Sequence, residues 1–167
     1  FNDTLYIQYT GGTTGKPKGA ELTLRNMLAN ARQGEAFSPH EVGSDTIGAA
    51  FPFFHMAGRS LGLVALQNAA RFLVIPDPRD VKHFCAVMKK SPPTVLANVP
   101  TLYMLLSDTP EFREIDFSRL RIALSGAAPF PVEAIRKLEA IIGEKKLCEV
   151  YGMTEASPLL TSNPAGR

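Results

Sequence analysis

Between residues 4 and 9 the chain alternates, with Leu5, Ile7 and Tyr9 set against Tyr6 and Gln8, the period of two expected of a β-strand. A Gly/Thr-rich turn and a second short strand around 20–23 follow. Thr23 is placed to cap a helix over about 25–31, which Gly34 would end. Beyond it, short apolar runs predict strands at 46–50, 71–75, 94–98, 121–125 and 147–151. Helical spacing fills the gaps. Val81, Phe84, Cys85 and Met88 share one face, as do Ala134, Leu138, Ile141 and Ile142. Residues 61–70 and 101–107 are apolar enough to be largely buried helices. Strands alternating with helices imply an α/β fold, a mostly parallel sheet with helices on both faces.

In such sheets ligands sit beyond the carboxyl ends of the strands. The segments that follow the predicted strands are residues 10–15, 54–58, 99–101, 125–129 and 151–155. They collect the small, hydroxylic and unusual residues of the chain on one expected edge, where the site should lie.

Composition narrows the class. The 167 residues suit a single domain of about 100–200 residues. With 45% hydrophobic residues, no repeat and no low-complexity tract, the chain is globular rather than disordered. A net charge of +2 is too small to suggest a nucleic-acid partner. Cys85 and Cys148 each sit in an apolar segment, as buried thiols of a reducing compartment, the cytoplasm, would. No apolar run approaches the roughly 18 residues of a membrane span. The chain opens on Phe1 just ahead of a strand, and is expected to be a portion of a longer protein.

Residues 10–19 read TGGTTGKPKG. Gly11, Gly12 and Gly15 allow close backbone approach, Thr10, Thr13 and Thr14 add hydroxyls, and Lys16 and Lys18 add charge, a composition suited to cradling phosphates. The spacing is not that of a Walker A loop, because Pro17 follows Lys16 where Ser or Thr should bind magnesium. Residues 151–155 read YGMTE: an aromatic face for a purine (Tyr151), a turn glycine (Gly152), a hydroxyl (Thr154) and a carboxylate suited to Mg²⁺ (Glu155). Taken alone this could equally be a Tyr-Gly turn with a capping threonine. The SGAAP run at 125–129 could admit a flat ring or serve tight strand–helix packing. His55, beside Phe53 and Phe54, is by itself more typical of packing than of catalysis. His40 and His83 carry no assigned role, and no His/Cys/Asp cluster has metal spacing.

Together these segments resemble the adenylate-forming, or AMP-binding, superfamily of acyl-CoA synthetases, luciferases and peptide-synthetase adenylation domains. The family's phosphate loop, YTSGTTGxPKG, is matched from Tyr9 to Gly19 with Gly11 in the serine position, and its YGxTE motif is matched by residues 151–155. Leu24 stands where the family usually has histidine. The GGTTG form, the run VPTLY at 99–103 and TEASPLLTSNP at 154–164 look most like long-chain fatty-acid–CoA ligases.

The resemblance implies that Thr10, Gly11, Gly12, Thr13, Thr14, Gly15 and Lys18 hold the phosphates of ATP. It implies that Gly126, Ala127 and Ala128 lie against adenine, that Tyr151 stacks on it, and that Gly152 belongs to the same nucleotide site. Thr154 would contact phosphate and Glu155 would bind Mg²⁺, the two forming the catalytic set with Lys18. His55 and Gly126 would border the carboxylate substrate. The activity implied is ATP-dependent formation of an acyl-adenylate, then of its coenzyme A thioester. A domain that loads a carrier protein, or a non-catalytic nucleotide-binding homologue, are the alternatives. Residues 1–167 would be the central portion of the large N-terminal domain. The family's ribose-holding aspartate and C-terminal domain lysine would lie beyond Arg167, so the isolated chain is expected to have little or no ligase activity. The expected partners are small molecules, and a lipid substrate would be compatible with peripheral membrane association.

Overall fold

The computed structural model describes residues 1–11 and 15–164. Strands β1 (Thr4–Thr10) and β2 (Lys18–Thr23) pair antiparallel, with Tyr9 opposite Gly19 and Thr10 opposite Lys18. Thr23 ends β2 and caps helix α1 (Leu24–Glu35). Its hydroxyl accepts from the Asn26 amide at 3.1 Å, and Asn26 Oδ1 accepts from the Thr23 amide. This reciprocal box satisfies two donors at the helix start.

The remaining strands form one six-stranded sheet: β3 (Thr46–Ala49), β4 (Arg71–Leu73), β5 (Val95–Asn98), β6 (Ile122–Ser125), β7 (Leu147–Gly152) and β8 (Leu159–Ser162). Their order is β4-β3-β5-β6-β7-β8. All neighbours are parallel except β7 and β8, which are antiparallel. Helices α2 (Met56–Gln67), α3 (Val81–Lys90), α4 (Pro100–Asp108) and α5 (Val132–Ile142) occupy the crossovers.

Alternation along the strands feeds two cores. Ile47, Ala49, Val95, Ala97 and Ile122 pack with Ala31 of α1 and with Val64 and Ala65 of α2. Leu73, Leu96 and Ala123 point the other way, onto Phe84, Met88, Tyr103, Leu106 and Leu138 of α3, α4 and α5. A mostly parallel sheet covered on both faces is thus observed as expected. Cys85 and Cys148 are free and buried, and burial with the nearby Glu111 charge pushes the Cys85 thiol up to about 11, leaving it unreactive.

Several boundaries differ from the sequence expectation. Helix α1 continues through Gly34 to Glu35, because no left-handed cap forms and Ala36 is still helical in φ and ψ. Helix α2 starts at Met56 rather than near 61, since His55 caps it, and stops at Gln67, where Asn68 leaves helical geometry. Strand β4 ends at Leu73, short of residue 75. Strand β8 was not anticipated. β1 does not join the parallel sheet but forms a hairpin sheet with β2, so the loop at 10–15 does not follow a strand of the main sheet. Among the described residues no helix is long and apolar enough to cross a membrane.

Candidate functional site

Glycine sets how closely the carboxyl ends of β6 and β7 approach. A Cβ on Gly126 would lie 2.7 Å from Val150 Cγ2 and 3.0 Å from its carbonyl oxygen. The chain then turns through Ala127 with φ of 70°, a left-handed conformation uncommon for a residue with a side chain. The Ser125 hydroxyl just below is buried and has no partner among the described residues.

After β7 the chain makes a compact turn. The Met153 amide donates to the Pro158 carbonyl at 2.9 Å, residues Thr154–Ala156 form one turn of 3₁₀ helix, and Ser157 adopts left-handed φ before a cis bond to Pro158. Gly152 is required at the base of this turn, where a Cβ would sit 2.3 Å from the Pro158 oxygen. Thr154 is half-buried and Glu155 is exposed.

These segments border a cleft of about 370 Å³ that runs between the sheet and helices α1 and α2. Gly126, Ala127, Tyr151, Gly152, Thr154 and His55 all contribute to its walls. Tyr151 is 64% exposed, so its ring face is free to stack. His55 is exposed rather than packed. Its Nδ1 accepts from the Ala57 amide at 3.2 Å, which leaves Nε2 carrying the proton of the neutral ring. The rest of the cleft is mostly apolar, with Ala31, Phe37, Phe51, Leu61, Val64 and Leu124 lining a limb under α1 and α2.

Other expected residues stand outside these walls. Thr10 and Lys18 face each other at the base of the β1–β2 hairpin, where the Thr10 hydroxyl donates to the Lys18 carbonyl at 3.4 Å. Gly11 and Gly15 flank the loop beside them. Gly12, Thr13 and Thr14 lie outside the described residues. Ala128 and Glu155 are exposed and close by in sequence but do not line the cleft. Strand β2 does run beside the Thr154–Ala156 turn, so the strand leaving the β1–β2 hairpin loop and the YGMTE turn are neighbours. The run at 99–101 begins α4 and stays apart from the cleft.

Among the described residues no group of three acidic, histidine or cysteine side chains could hold a metal by itself. Glu155 nevertheless fits magnesium, which takes one or two protein carboxylates and fills its remaining positions with substrate phosphates and water.

Sequence reasoning missed the apolar limb and two polar residues on it. Asn30 of α1 is buried and bonds to Leu159, and His40 places Nδ1 3.1 Å from the Asp45 carboxylate. Neither carries a local signal: the Asn30 partner is 129 positions away, and His40 meets Asp45 within one irregular connection, at a spacing that matches no regular element.

A family model described as AMP-binding enzyme matches residues 2–167. A long-chain-fatty-acid–CoA ligase of Yersinia pestis is 39% identical over 97% of this chain and 29% of its own length. A solved malonyl-CoA ligase with methylmalonyl-CoA and AMP bound superposes with a TM-score of 0.83 at 28% identity, over 99% of this chain and 36% of that one. A long-chain-fatty-acid–CoA ligase from Archaeoglobus fulgidus gives a TM-score of 0.77 at 30% identity, over 93% and 32%. The chain therefore spans about 29% of the length of the curated relative it matches.

Proposed function

This chain belongs to the AMP-binding enzyme family, and we propose that it is the central part of the nucleotide-binding domain of an acid–CoA ligase that activates a long-chain fatty acid. The observation that carries this reading is the shared cleft. One end is bordered by Tyr151, Gly126 and Thr154, and the other is an apolar limb suited to an alkyl chain. The Yersinia pestis fatty-acid ligase supports the fatty-acid part of this reading, and the malonyl-CoA ligase structure holding AMP and a CoA thioester supports ATP and coenzyme A.

In the proposed reaction a carboxylate oxygen attacks the α-phosphorus of ATP, and pyrophosphate leaves. Two anions must meet, so positive charge and in-line positioning are the main requirements. The phosphate loop, comprising Thr10, Gly11, Gly12, Thr13, Thr14 and Gly15, with Lys18 at its base, would grip the phosphates. Tyr151 would stack on adenine, with Gly126, Ala127 and Ala128 against the ring and Gly152 keeping the backbone close. Thr154 would donate its hydroxyl to a phosphate oxygen. Glu155 would hold magnesium, which when bound neutralises phosphate charge. His55, with its proton on Nε2, would donate to the carboxylate substrate beside Gly126. The thiol of coenzyme A then displaces AMP from the acyl-adenylate.

Carboxylate-dependent ATP–pyrophosphate exchange by the complete polypeptide tests the reading, with palmitate, octanoate, benzoate and amino acids as substrates. Exchange driven by palmitate and weakened by Glu155→Gln is expected. Exchange with another acid would keep the mechanism and remove the fatty-acid assignment. Acyl transfer to a carrier protein in place of free CoA would mark a carrier-loading domain.

A further inference from the structure

Asn30 lies on the inner side of α1 and is 7% exposed. Both ends of its amide are used on one residue 129 positions away. Nδ2 donates to the Leu159 carbonyl at 2.7 Å, and the Leu159 amide donates to Oδ1 at 3.0 Å. Strand β8 is the edge of the main sheet, paired on one side only, with β7. Asn30 therefore occupies the open hydrogen-bonding side of that edge, as the backbone of a further strand would.

What this clip joins gives it a function. Leu159 pairs with Gly152, and the turn between them carries Thr154 and Glu155. On the other side, α1 is tied through the Thr23–Asn26 capping box to β2, which starts at Lys18 at the base of the phosphate loop. These two elements belong to different sheets. Among the described residues, the Asn30 pair supplies the only hydrogen bonds between the β1–β2–α1 unit and the β7–β8 hairpin. The Leu159 side chain adds contact at the same place, since a Cβ on Gly34 would meet Leu159 Cδ2 at 3.4 Å.

We propose that Asn30 is a positioning residue: it sets the separation of the phosphate-loop hairpin and the YGMTE turn, and so the alignment of groups on the two sides of the nucleotide. The kinetic part rests on the function proposed above; the spatial part does not.

The experiment uses the complete polypeptide carrying Asn30→Leu, which keeps the branched shape and removes both bonds. In ATP–pyrophosphate exchange kcat/KM for ATP is expected to fall about 10–100-fold, as small misplacements of reacting groups do. In parallel, spin labels at Glu21→Cys on β2 and Thr161→Cys on β8, both exposed, report the spacing, because native Cys85 and Cys148 are buried. The inter-label distances should broaden or shift in the variant. A folded variant with unaltered ATP kinetics, or with an unaltered distance distribution, overturns the proposal. A change confined to KM for the acid overturns it in favour of direct substrate contact, because Asn30 also lines the cleft. If Asn30→Leu does not fold, Asn30→Asp, which replaces the amide donor to the Leu159 carbonyl with a carboxylate oxygen, carries the same two measurements. Absence of exchange in the unaltered protein removes the functional reading alone, and the label distances then decide.

Discussion

At the amino ends of β3, β5 and β6 polar side chains close on one another, whereas at the carboxyl ends of β6 and β7 they are left open. On the first edge Asp45 is fully buried and saturated. It accepts from Thr94 Oγ1 at 2.6 Å, from the two terminal Arg121 nitrogens at 2.7 and 2.9 Å and from the Glu41 amide at 2.8 Å, with His40 Nδ1 at 3.1 Å. Burial pushes its carboxyl up, but the Arg121 guanidinium, the Thr94 hydroxyl and the Glu41 amide outweigh that and hold it well below the usual carboxylate range. The opposite edge has a buried Ser125 hydroxyl without a partner among the described residues, a left-handed Ala127 and an exposed Tyr151. One edge spends its polar groups on locking strands together, and the other keeps them and its backbone strain available to a ligand.

If that division is right, damage to the two edges should separate. The largest effect is expected from Arg121→Met, which leaves the Asp45 carboxylate buried with its main counter-charge gone. Breaking a buried pair costs about 3 kcal/mol, the low end of the usual range, because the Arg121 side chain is 31% exposed. Urea unfolding should show the loss, while KM for ATP stays unchanged well below the melting temperature. Altered ATP binding in this variant would mean that the edges are coupled.

Gly152→Ala strikes the other edge. Its Cβ would meet the Pro158 backbone oxygen at 2.3 Å, so the turn carrying Thr154 and Glu155 must open. We expect about 2 kcal/mol of lost stability from overpacking and roughly 100-fold slower pyrophosphate exchange from misplaced groups. A stability loss with unaltered exchange would show that this turn does not position the reacting groups.

The closed edge should also govern the acid limb of stability. Asp45 titrates below the roughly 3.9 of an unfolded aspartate, so between those two values the folded chain binds fewer protons and stability rises with pH. Its contribution is complete above about pH 4 and is withdrawn as pH falls toward the native value. Asp77, held at about 2 by its hydrogen bonds from Arg79, and Asp116, lowered by the Ser118 amide, steepen the same limb from solvent-accessible positions. The stability gap between the unaltered protein and Arg121→Met should therefore narrow between pH 5 and 3 in urea titrations, by about 1–2 kcal/mol. A constant gap would assign the limb to other carboxylates.

How the two edges could be read from sequence differs as well. The strand interiors were readable because each of Val95, Leu96 and Ala97 faces a core, so an apolar run signals a doubly covered strand. The carboxyl-edge segments were readable because SGAAP and YGMTE are chemically unusual within a few adjacent residues. Asp45, Thr94 and Arg121 were not, because each is an ordinary residue before a strand and acquires meaning only when the strands align. The same reason hid Asn30, whose partner is 129 positions distant. Alternation identified β1 but could not say which sheet it joins, since pairing is a property of two segments and periodicity of one.

The smallest effect is expected at Ala127. A left-handed alanine costs roughly 1–2 kcal/mol relative to glycine in the folded state, and Ala127→Gly releases that cost. Glycine also widens the unfolded ensemble, at about 0.4–1 kcal/mol, so a net gain of about 0.5–1 kcal/mol should remain in urea unfolding. The gain should come with a penalty in function if this edge holds its strain for a ligand. Without the methyl group and the restricted backbone, KM for ATP should rise a few-fold, since the turn would then be ordered only on binding. Greater stability with unchanged KM would make the left-handed turn a tolerated defect, whereas greater stability with weaker ATP binding would show that the strain at the open edge serves the nucleotide.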